Sequence, residues 1–282
     1  MDLSGKVAVV TGAGAGLGRA EAVELARAGA SLVLNDLPGA ADAAAAEIEE
    51  LGAKCVVVEG DVGERSTADA LVTAAVEQFG GLHVVVNNAG VLRDRMLFNM
   101  SDEDWDLVMR VHLRGHFLLS RNAVSLWRQQ SKATGEPVYG RVINTSSEAF
   151  LLGSEGQANY AAAKAGIAAL TVATARGTGR YGVRANAICP RARTGMTAHV
   201  FGDAPDGTDP LAPEHVAKFV AYLASPPADK ISGQVFVVHG GMVALMAPPT
   251  VEHRFDAIGD LDGYFADRDP QRTFSCTETM GL

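Results

Sequence analysis

The sequence predicts an α/β fold: a single domain on a doubly wound parallel sheet, with helices on both faces. Three observations predict it. Short β-branched apolar runs alternate with helix-forming runs along most of the chain, the signature of successive βαβ units. Those runs are nearly all apolar rather than alternating, as in strands buried on both faces. A glycine-rich turn, Thr11-Gly12-Ala13-Gly14-Ala15-Gly16-Leu17-Gly18, stands between the first apolar run and the first helical one.

Lys6–Thr11 reads as the first strand, and Arg19–Ala28, rich in helix formers, as the first helix. Ser31–Asn35 is the second strand. Ala40–Glu50 is an alanine- and glutamate-rich helix ending near Gly52. Cys55–Glu59 and Ala68–Phe79 form the third strand and helix, and His83–Asn87 the fourth strand. Asp102–Arg128 is a long helical stretch, broken off near Gly135 and Pro137. Arg141–Thr145 is a strand leading to Ser147, and Asn159–Arg176 a helix of small residues. Ala185–Cys189 and Gln234–Val238 read as the last two strands. No repeat of solenoid type and no clear linker interrupts residues 1–245. After Pro248-Pro249 the chain turns polar, with Phe255, Tyr264, Phe265 and Phe274 irregularly spaced. The expected organisation is a dinucleotide-binding and catalytic domain over residues 1–247. Residues 248–282 are then a C-terminal extension rather than a separate domain.

Composition narrows the function. The 282 residues are 48 % hydrophobic and 20 % charged, enough apolar material for a large core. A net charge of -9 argues against nucleic acid as a partner, since polyphosphate binders are normally basic. It does not exclude a phosphorylated small molecule, which local dipoles can hold. Cys55, Cys189 and Cys276 are few and widely spaced, suggesting neither a disulfide framework nor a metal site. The N-terminus Met1-Asp2-Leu3-Ser4 opens no apolar signal segment, no run reaches the length of a membrane span, and Met280-Gly281-Leu282 is not a peroxisomal tripeptide. The expectation is a cytoplasmic protein with no membrane partner.

The glycine turn departs from the literal G-x-G-x-x-G pattern: Gly12, Gly16 and Gly18 stand as Gly-x-x-x-Gly-x-Gly. The physical requirement is similar. Glycine permits positive φ and lets backbone amides approach a pyrophosphate at a helix N-terminus. Asp36, eighteen residues past Gly18, ends the second strand. A carboxylate there can accept both ribose hydroxyls of NAD and would repel a 2′-phosphate. Neither Ala15 nor Leu37 supplies a cation for that phosphate, so NAD is favoured over NADP. The alternative for Asp36 is an N-cap of the following helix. Asp61, with Val62 behind it, is a candidate for the adenine edge, or else a solvent-facing loop acid.

Tyr160 and Lys164 stand four residues apart in Asn-Tyr-Ala-Ala-Ala-Lys, and Ser147 lies thirteen residues before the tyrosine. Residues i and i+4 share a helix face. A free tyrosine has a pKa of about 10, and bringing it to neutrality takes roughly 4 kcal/mol of differential stabilisation. A nearby ammonium and an oxidised nicotinamide would both favour the phenolate. Ser147 would hydrogen-bond the substrate oxygen.

On these motifs the chain resembles the short-chain dehydrogenase/reductase family over about residues 5–245. The resemblance rests on Thr11-Gly12-x-x-x-Gly16-x-Gly18, Asn87-Asn88-Ala89-Gly90, Ser147, Gln157-Ala158-Asn159, Tyr160-x-x-x-Lys164, and Cys189-Pro190 followed by Thr194. It implies a Rossmann-like fold and a nicotinamide cofactor held by Gly12, Gly16, Leu17, Gly18, Asp36, Asp61, Val62, Asn88, Ala89, Gly90, Tyr160, Lys164, Pro190 and Thr194. It also implies Tyr160 as general acid/base, Lys164 lowering its pKa and binding ribose, Ser147 orienting substrate, and no metal. His112 stands where the family usually has an asparagine of a proton relay. A histidine can hydrogen-bond similarly, but it also titrates near neutrality; the alternative is a helix-packing role. Pro190-Arg191 departs from the family's usual glycine after the proline, which would reshape the loop over the nicotinamide.

Asn35-Asp36-Leu37, Leu92-Arg93-Asp94-Arg95, Asp102-Glu103-Asp104-Trp105-Asp106 and Val111-His112-Leu113-Arg114-Gly115 are similar to the (3R)-hydroxyacyl-CoA dehydrogenase part of the peroxisomal multifunctional enzyme, also described as a 17β-hydroxysteroid dehydrogenase. The resemblance implies an alcohol substrate of 3-hydroxyacyl-CoA type, with a steroid-derived acyl group or a free hydroxysteroid as further options. Arg93, Arg95, Arg191 and Arg193 would then be the charges available to CoA phosphates, or solvated loop charges. A reading of another class is an NAD(H)-sensing protein that catalyses nothing. The small-residue helix Ala161–Leu170 offers a flat face, and the resemblance implies a homodimer or homotetramer.

Overall fold

The computed structural model describes residues 1–197 and 201–268. Val7–Thr11 (β1), Ser31–Asp36 (β2), Cys55–Glu59 (β3), Val84–Asn87 (β4), Gly140–Thr145 (β5), Val183–Pro190 (β6), Val235–His239 (β7) and Met242–Leu245 (β8) form one sheet in the order β3-β2-β1-β4-β5-β6-β7-β8. Every pairing is parallel except β7 with β8, which is antiparallel. In register, Val9 of β1 stands between Val33 of β2 and Val85 of β4.

The apolar strands are buried on both faces, and period-2 geometry divides them between two cores. Ala8 and Val10 face a core completed by Gly16–Arg27 (α1), Asp42–Glu50 (α2) and Pro213–Ala224 (α8). Val7 and Val9 face the other, completed by Arg65–Phe79 (α3) and Gly115–Thr134 (α5). Trp127 of α5 is fully buried there, its indole N–H donating to the Leu82 carbonyl at 2.7 Å. A charged residue on either face of β1 would sink the core, so the sequence cannot alternate.

β1 lies between β2 and β4, so the chain's direction of travel across the sheet reverses at β1. A crevice opens outside the carboxyl ends of strands at such a reversal. The glycine turn leaves β1 there, and Asn88-Ala89-Gly90 leave β4 beside it.

The long helical stretch foreseen from Asp102 is interrupted. Asp102–Met109 (α4) is capped by Ser101, whose hydroxyl accepts the Asp104 amide at 3.1 Å. Arg110–Arg114 then forms one π-helical turn before α5 begins. α5 runs to Thr134 and ends on Gly135 in the left-handed region, φ 76°. π-turns insert a residue and gather at functional sites; this one carries His112.

Further elements were not foreseen. Ala149–Leu152 (α6) is a single turn. α8 begins at Pro213, whose fixed φ and missing N–H suit the first position of a helix. β8 follows the turn at Gly240-Gly241 and corrects the expectation that the strand read at Gln234–Val238 is the last. Its residues are all apolar but alternate between half-buried and exposed, as on the edge strand of the sheet rather than on a strand buried on both faces. Ala158–Thr178 (α7) and α2, α3 fall close to their expected places. In the extension, Asp260–Phe265 (α9) brings Tyr264 onto His253, with ring centroids 4.6 Å apart, and Arg268 lies 3.9 Å over the Tyr264 ring. Phe274 and Cys276 lie outside the described residues. No helix among the described residues is long and apolar enough to cross a membrane.

Candidate active site

The turn after β1 needs glycine at four positions for two reasons. Gly12 and Gly16 sit at φ 64° and 54°, where other residues are strained. Gly14 and Gly18 are close approaches: a Cβ would stand 2.2 Å from the Ala40 carbonyl oxygen and 2.0 Å from that of Gly12, respectively. Gly18 therefore packs α1 under the turn rather than lining the crevice. Gly14 escaped the sequence reading because nothing local marks its contact with Ala40. α1 has no side-chain cap at Ala15, leaving first-turn amides for an anion.

A cavity of about 530 Å³ fills the crevice, and Gly12, Gly16, Leu17, Asp36, Asp61, Val62, Asn88, Ala89, Gly90 and Thr194 all line it. Asp36 is held in place: Oδ2 accepts the Gly14 amide at 2.8 Å and Oδ1 the Leu37 amide at 2.8 Å. It is not the cap of α2, whose N-cap is Ala41. Leu37 beside it is 58 % exposed, and the α1 cation Arg19 is tied to Glu47 at 2.7 Å. Asp61 is not a free loop acid. One oxygen accepts the Gly63 amide at 2.7 Å, and the other meets Arg110 at 2.7 Å. Arg110 was missed, being 49 residues away in sequence.

β4 is fixed to β1 from its end. The Thr11 hydroxyl accepts the Asn88 and Ala89 amides at 3.0 and 3.2 Å, and the Asn88 side chain donates to the Thr11 carbonyl at 3.1 Å. Below, Asn87 donates to Asn144 at 2.8 Å, and Asn144 to Thr171 of α7 at 2.8 Å. Buried polar side chains are thus paired across three elements.

α7 enters the site pinned to the loop after β4. Gln157 donates to Asp94 at 3.0 Å, and Asn159 to the Arg93 carbonyl at 3.0 Å. This sets Tyr160 and, one turn on, Lys164. Lys164 is 2 % exposed, its ammonium donating to the Thr145 carbonyl at 2.6 Å and lying 5.2 Å from the centre of the Tyr160 ring. Burial pushes Lys164 down to about 7 and Tyr160 up to about 12, with Ser147 close enough to the phenol to work against the rise. Desolvation is the largest influence on the phenol. Reaching neutrality from about 12 takes roughly 7 kcal/mol, not 4.

His112 stands edge-on to Tyr160, ring centroids 5.2 Å apart. Its Nε2 lies 3.0 Å from the Val91 amide nitrogen and 2.8 Å from the Val91 carbonyl oxygen. Val91 lines the cavity, so the imidazole bridges the cavity and the tyrosine. Burial, then the Lys164 charge, hold His112 well below the ordinary histidine range. It is a neutral hydrogen-bonding ring rather than a group titrating near neutrality. His112, Ser147, Tyr160, Lys164 and Pro190, the last residue of β6, stand outside the cavity lining itself. Thr194 faces the turn across the crevice: a Cβ on Gly16 would stand 3.3 Å from it.

Two of the four arginines considered for phosphate are internal. Arg191 pairs with Glu148 at 2.6 and 2.9 Å, and Arg193 with Asp209 at 2.9 Å. Arg93 lines the cavity, 4.0 Å from Asp104; Arg95 is exposed. Among the described residues no group of three His, Cys, Asp or Glu could hold a metal ion.

The chain is similar to known proteins. A family model described as enoyl-(acyl carrier protein) reductase matches residues 12–243. A Mycobacterium tuberculosis protein named hydroxyacyl-CoA dehydrogenase ChsB1 is 58 % identical over 99 % of this chain and 94 % of its own length. The mouse peroxisomal multifunctional enzyme type 2 is 41 % identical over 85 % of this chain, which spans 32 % of that enzyme. A crystal structure of a short-chain dehydrogenase from Mycobacterium avium superposes with a TM-score of 0.86 at 42 % identity, covering 95 % of both chains. With its reversed sheet, its glycine turn and its Tyr160–Lys164 helix, this chain is an oxidoreductase belonging to the short-chain dehydrogenase/reductase family.

Proposed function

We propose that the protein is an NAD-dependent dehydrogenase that oxidises the secondary alcohol of a 3-hydroxyacyl-CoA, with Tyr160 as general base. One observation carries the reading: the Tyr160–Ser147–Lys164–His112 group adjoins a cavity that also presents a fixed aspartate, Asp36. The name of the Mycobacterium tuberculosis relative supports the substrate class.

The residues fit the cofactor. The uncapped start of α1 suits a pyrophosphate, and a fixed Asp36 suits ribose hydroxyls. Leu37 leaves no cation for a 2′-phosphate, which favours NAD over NADP. Asp61 and Val62 stand at the adenine end. Thr194 stands with Gly16 at the other wall. When bound, oxidised NAD supplies the hydride acceptor and a positive charge.

Tyr160 then takes the hydroxyl proton as the alcohol is oxidised. Ser147 hydrogen-bonds the reacting oxygen and keeps it within reach of the phenol. Lys164 stabilises the phenolate and reaches ribose, its ammonium being fixed by Thr145. His112, bonded to the Val91 backbone, holds the edge of the Tyr160 ring. Ketone reduction uses the same groups in reverse.

We also propose a homo-oligomer. Ala162, Ala165, Ala169 and Ala173 form an exposed stripe along α7, and Phe117 of α5 is exposed as well; a flat small-residue face permits close helix packing.

The test is turnover of 3-hydroxyacyl-CoAs, free hydroxysteroids and simple secondary alcohols with NAD and with NADP, followed by absorbance of the reduced nicotinamide. Turnover of the CoA esters with NAD is the expected result. Turnover of steroids alone would discard the CoA ester. NAD binding with no turnover would favour a sensor.

A further inference from the structure

The ion pair between Glu148 and Arg191 has no role in the chemistry above, yet it is among the most fully built contacts near the site. It is bidentate, Arg191 Nε to Glu148 Oε2 at 2.6 Å and Nη2 to Oε1 at 2.9 Å. Both side chains are nearly closed to solvent, at 8 % and 11 % exposure. Removing two charges from water is costly, and the planar fork of an arginine against a carboxylate is the geometry that offsets it best.

The two residues sit at informative places. Glu148 follows Ser147 where the chain leaves β5, and the Ser147 hydroxyl accepts the Ala149 amide at 3.2 Å. Arg191 follows Pro190, the last residue of the neighbouring strand β6, and its amide donates to the Val238 carbonyl of β7 at 2.9 Å. Three residues beyond Arg191 is Thr194, on the cavity wall. That segment is anchored further on, by Arg193 to Asp209 at 2.9 Å and by the Thr197 hydroxyl to the Ala192 carbonyl at 2.6 Å. The pair therefore joins the loop carrying Ser147 to the loop carrying Thr194.

We infer that Glu148 and Arg191 are a positioning pair that fixes Ser147 relative to Thr194, setting the reacting alcohol oxygen against the nicotinamide end of the cofactor. Neither charge binds substrate. The inference rests on the proposed dehydrogenase reading. It explains why arginine follows the proline here: a side chain that reaches across to the serine loop holds a segment that glycine would leave unattached.

The test uses Arg191→Lys, which keeps the charge but not the fork, and the double variant Glu148→Leu/Arg191→Met, which leaves no charge unpaired if single breaks fail to fold. Two substrates are compared: a 3-hydroxyacyl-CoA and a thioester of the same acyl group lacking the nucleotide. Hydrogen exchange of residues 146–152 and 192–197 is followed alongside. Both variants should bind NADH as the native protein does and lose about 10–100-fold in kcat on both substrates alike. Exchange should rise in both loops together while the β1–α1 turn is unchanged. Unaltered kcat overturns the inference. So does a rise in KM confined to the CoA ester, which would make Arg191 a ligand of the nucleotide phosphates. If the native protein turns over neither thioester, the substrate reading fails by itself, and joint loosening of the two loops decides the positioning role.

Discussion

Gly90 and His112 occupy one another's space: a Cβ on residue 90 would stand 2.4 Å from His112 Cε1. The end of β4 can therefore pass the π-turn only as glycine. The turn in exchange delivers an imidazole to the Val91 backbone and to the edge of Tyr160. Gly90→Ala should push the ring off both. The expected outcome is a fall in kcat of about 10–100-fold, as displacements of about 1 Å produce. His112→Asn in the same chain should restore part of it, because the smaller amide leaves room. Steady-state kinetics of the single and double variants check this. A native kcat in Gly90→Ala would show that the ring's position is immaterial.

Asp36 should govern the choice of cofactor. Its carboxylate is fixed by two backbone amides, so Asp36→Ala removes an ordered acceptor. Hydrogen bonds to charged groups contribute about 1.5–3 kcal/mol, so NAD affinity should fall at least about 10-fold. Adding Leu37→Arg should improve NADP binding by placing a cation where a 2′-phosphate would lie. Fluorescence titration with both reduced cofactors measures the shift; an unchanged preference in the double variant would contradict it.

Much of this was legible in the chain, and the reason is locality. Runs such as Val84–Asn87 declare a strand buried on both faces, and Tyr160 with Lys164 declares a shared helix face by spacing alone. What stayed hidden depends on distant partners. Gly14 is compelled by Ala40, Asp61 is held by Arg110, and Arg191 is turned inward by Glu148. No local pattern reports such pairs. The π-turn at His112 was hidden for another reason: the residues of α4 and α5 are all acceptable in one continuous helix, and the break is decided by packing. The depth at which the tyrosine and lysine are buried was hidden as well. Burial raises the pKa of the Tyr160 phenol and lowers that of the Lys164 ammonium, and it is set by packing rather than by spacing.

Glu21 should set the pH dependence of stability. It is fully buried on α1, neither carboxyl oxygen has a hydrogen-bond partner among the described residues, and burial raises its pKa from 4.5 to about 8. The folded protein keeps this proton where the unfolded chain has lost it. The contribution is fully present below about 4.5 and is lost as pH rises through about 8. Glu21→Gln should flatten that slope and, above the folded pKa, exceed the native protein in stability by about 1–3 kcal/mol. Urea unfolding across this range checks it. A native slope in the variant would place the titrating group elsewhere.

Lys164 should cost stability while serving the reaction. Burial lowers its pKa from 10.5 to about 7, so the folded state disfavours the charged form. Its unfavourable contribution is greatest below about 7 and fades as pH rises toward 10.5. Lys164→Met should therefore abolish turnover while leaving thermal stability near neutral pH equal to or above native, a trade seen where function needs a buried charge. A large drop in melting temperature would mean that the ammonium's bond to Thr145 outweighs its desolvation.

The most direct test of the central claim is the rate of NADH formation from a 3-hydroxyacyl-CoA by the native protein and by Tyr160→Phe. The native chain should turn over. The variant should lose about 10²–10⁴-fold in kcat while binding NAD unchanged, since the lost hydroxyl acts on the proton and not on the cofactor's adenine half. Equal rates in the two proteins would contradict Tyr160 as the general base.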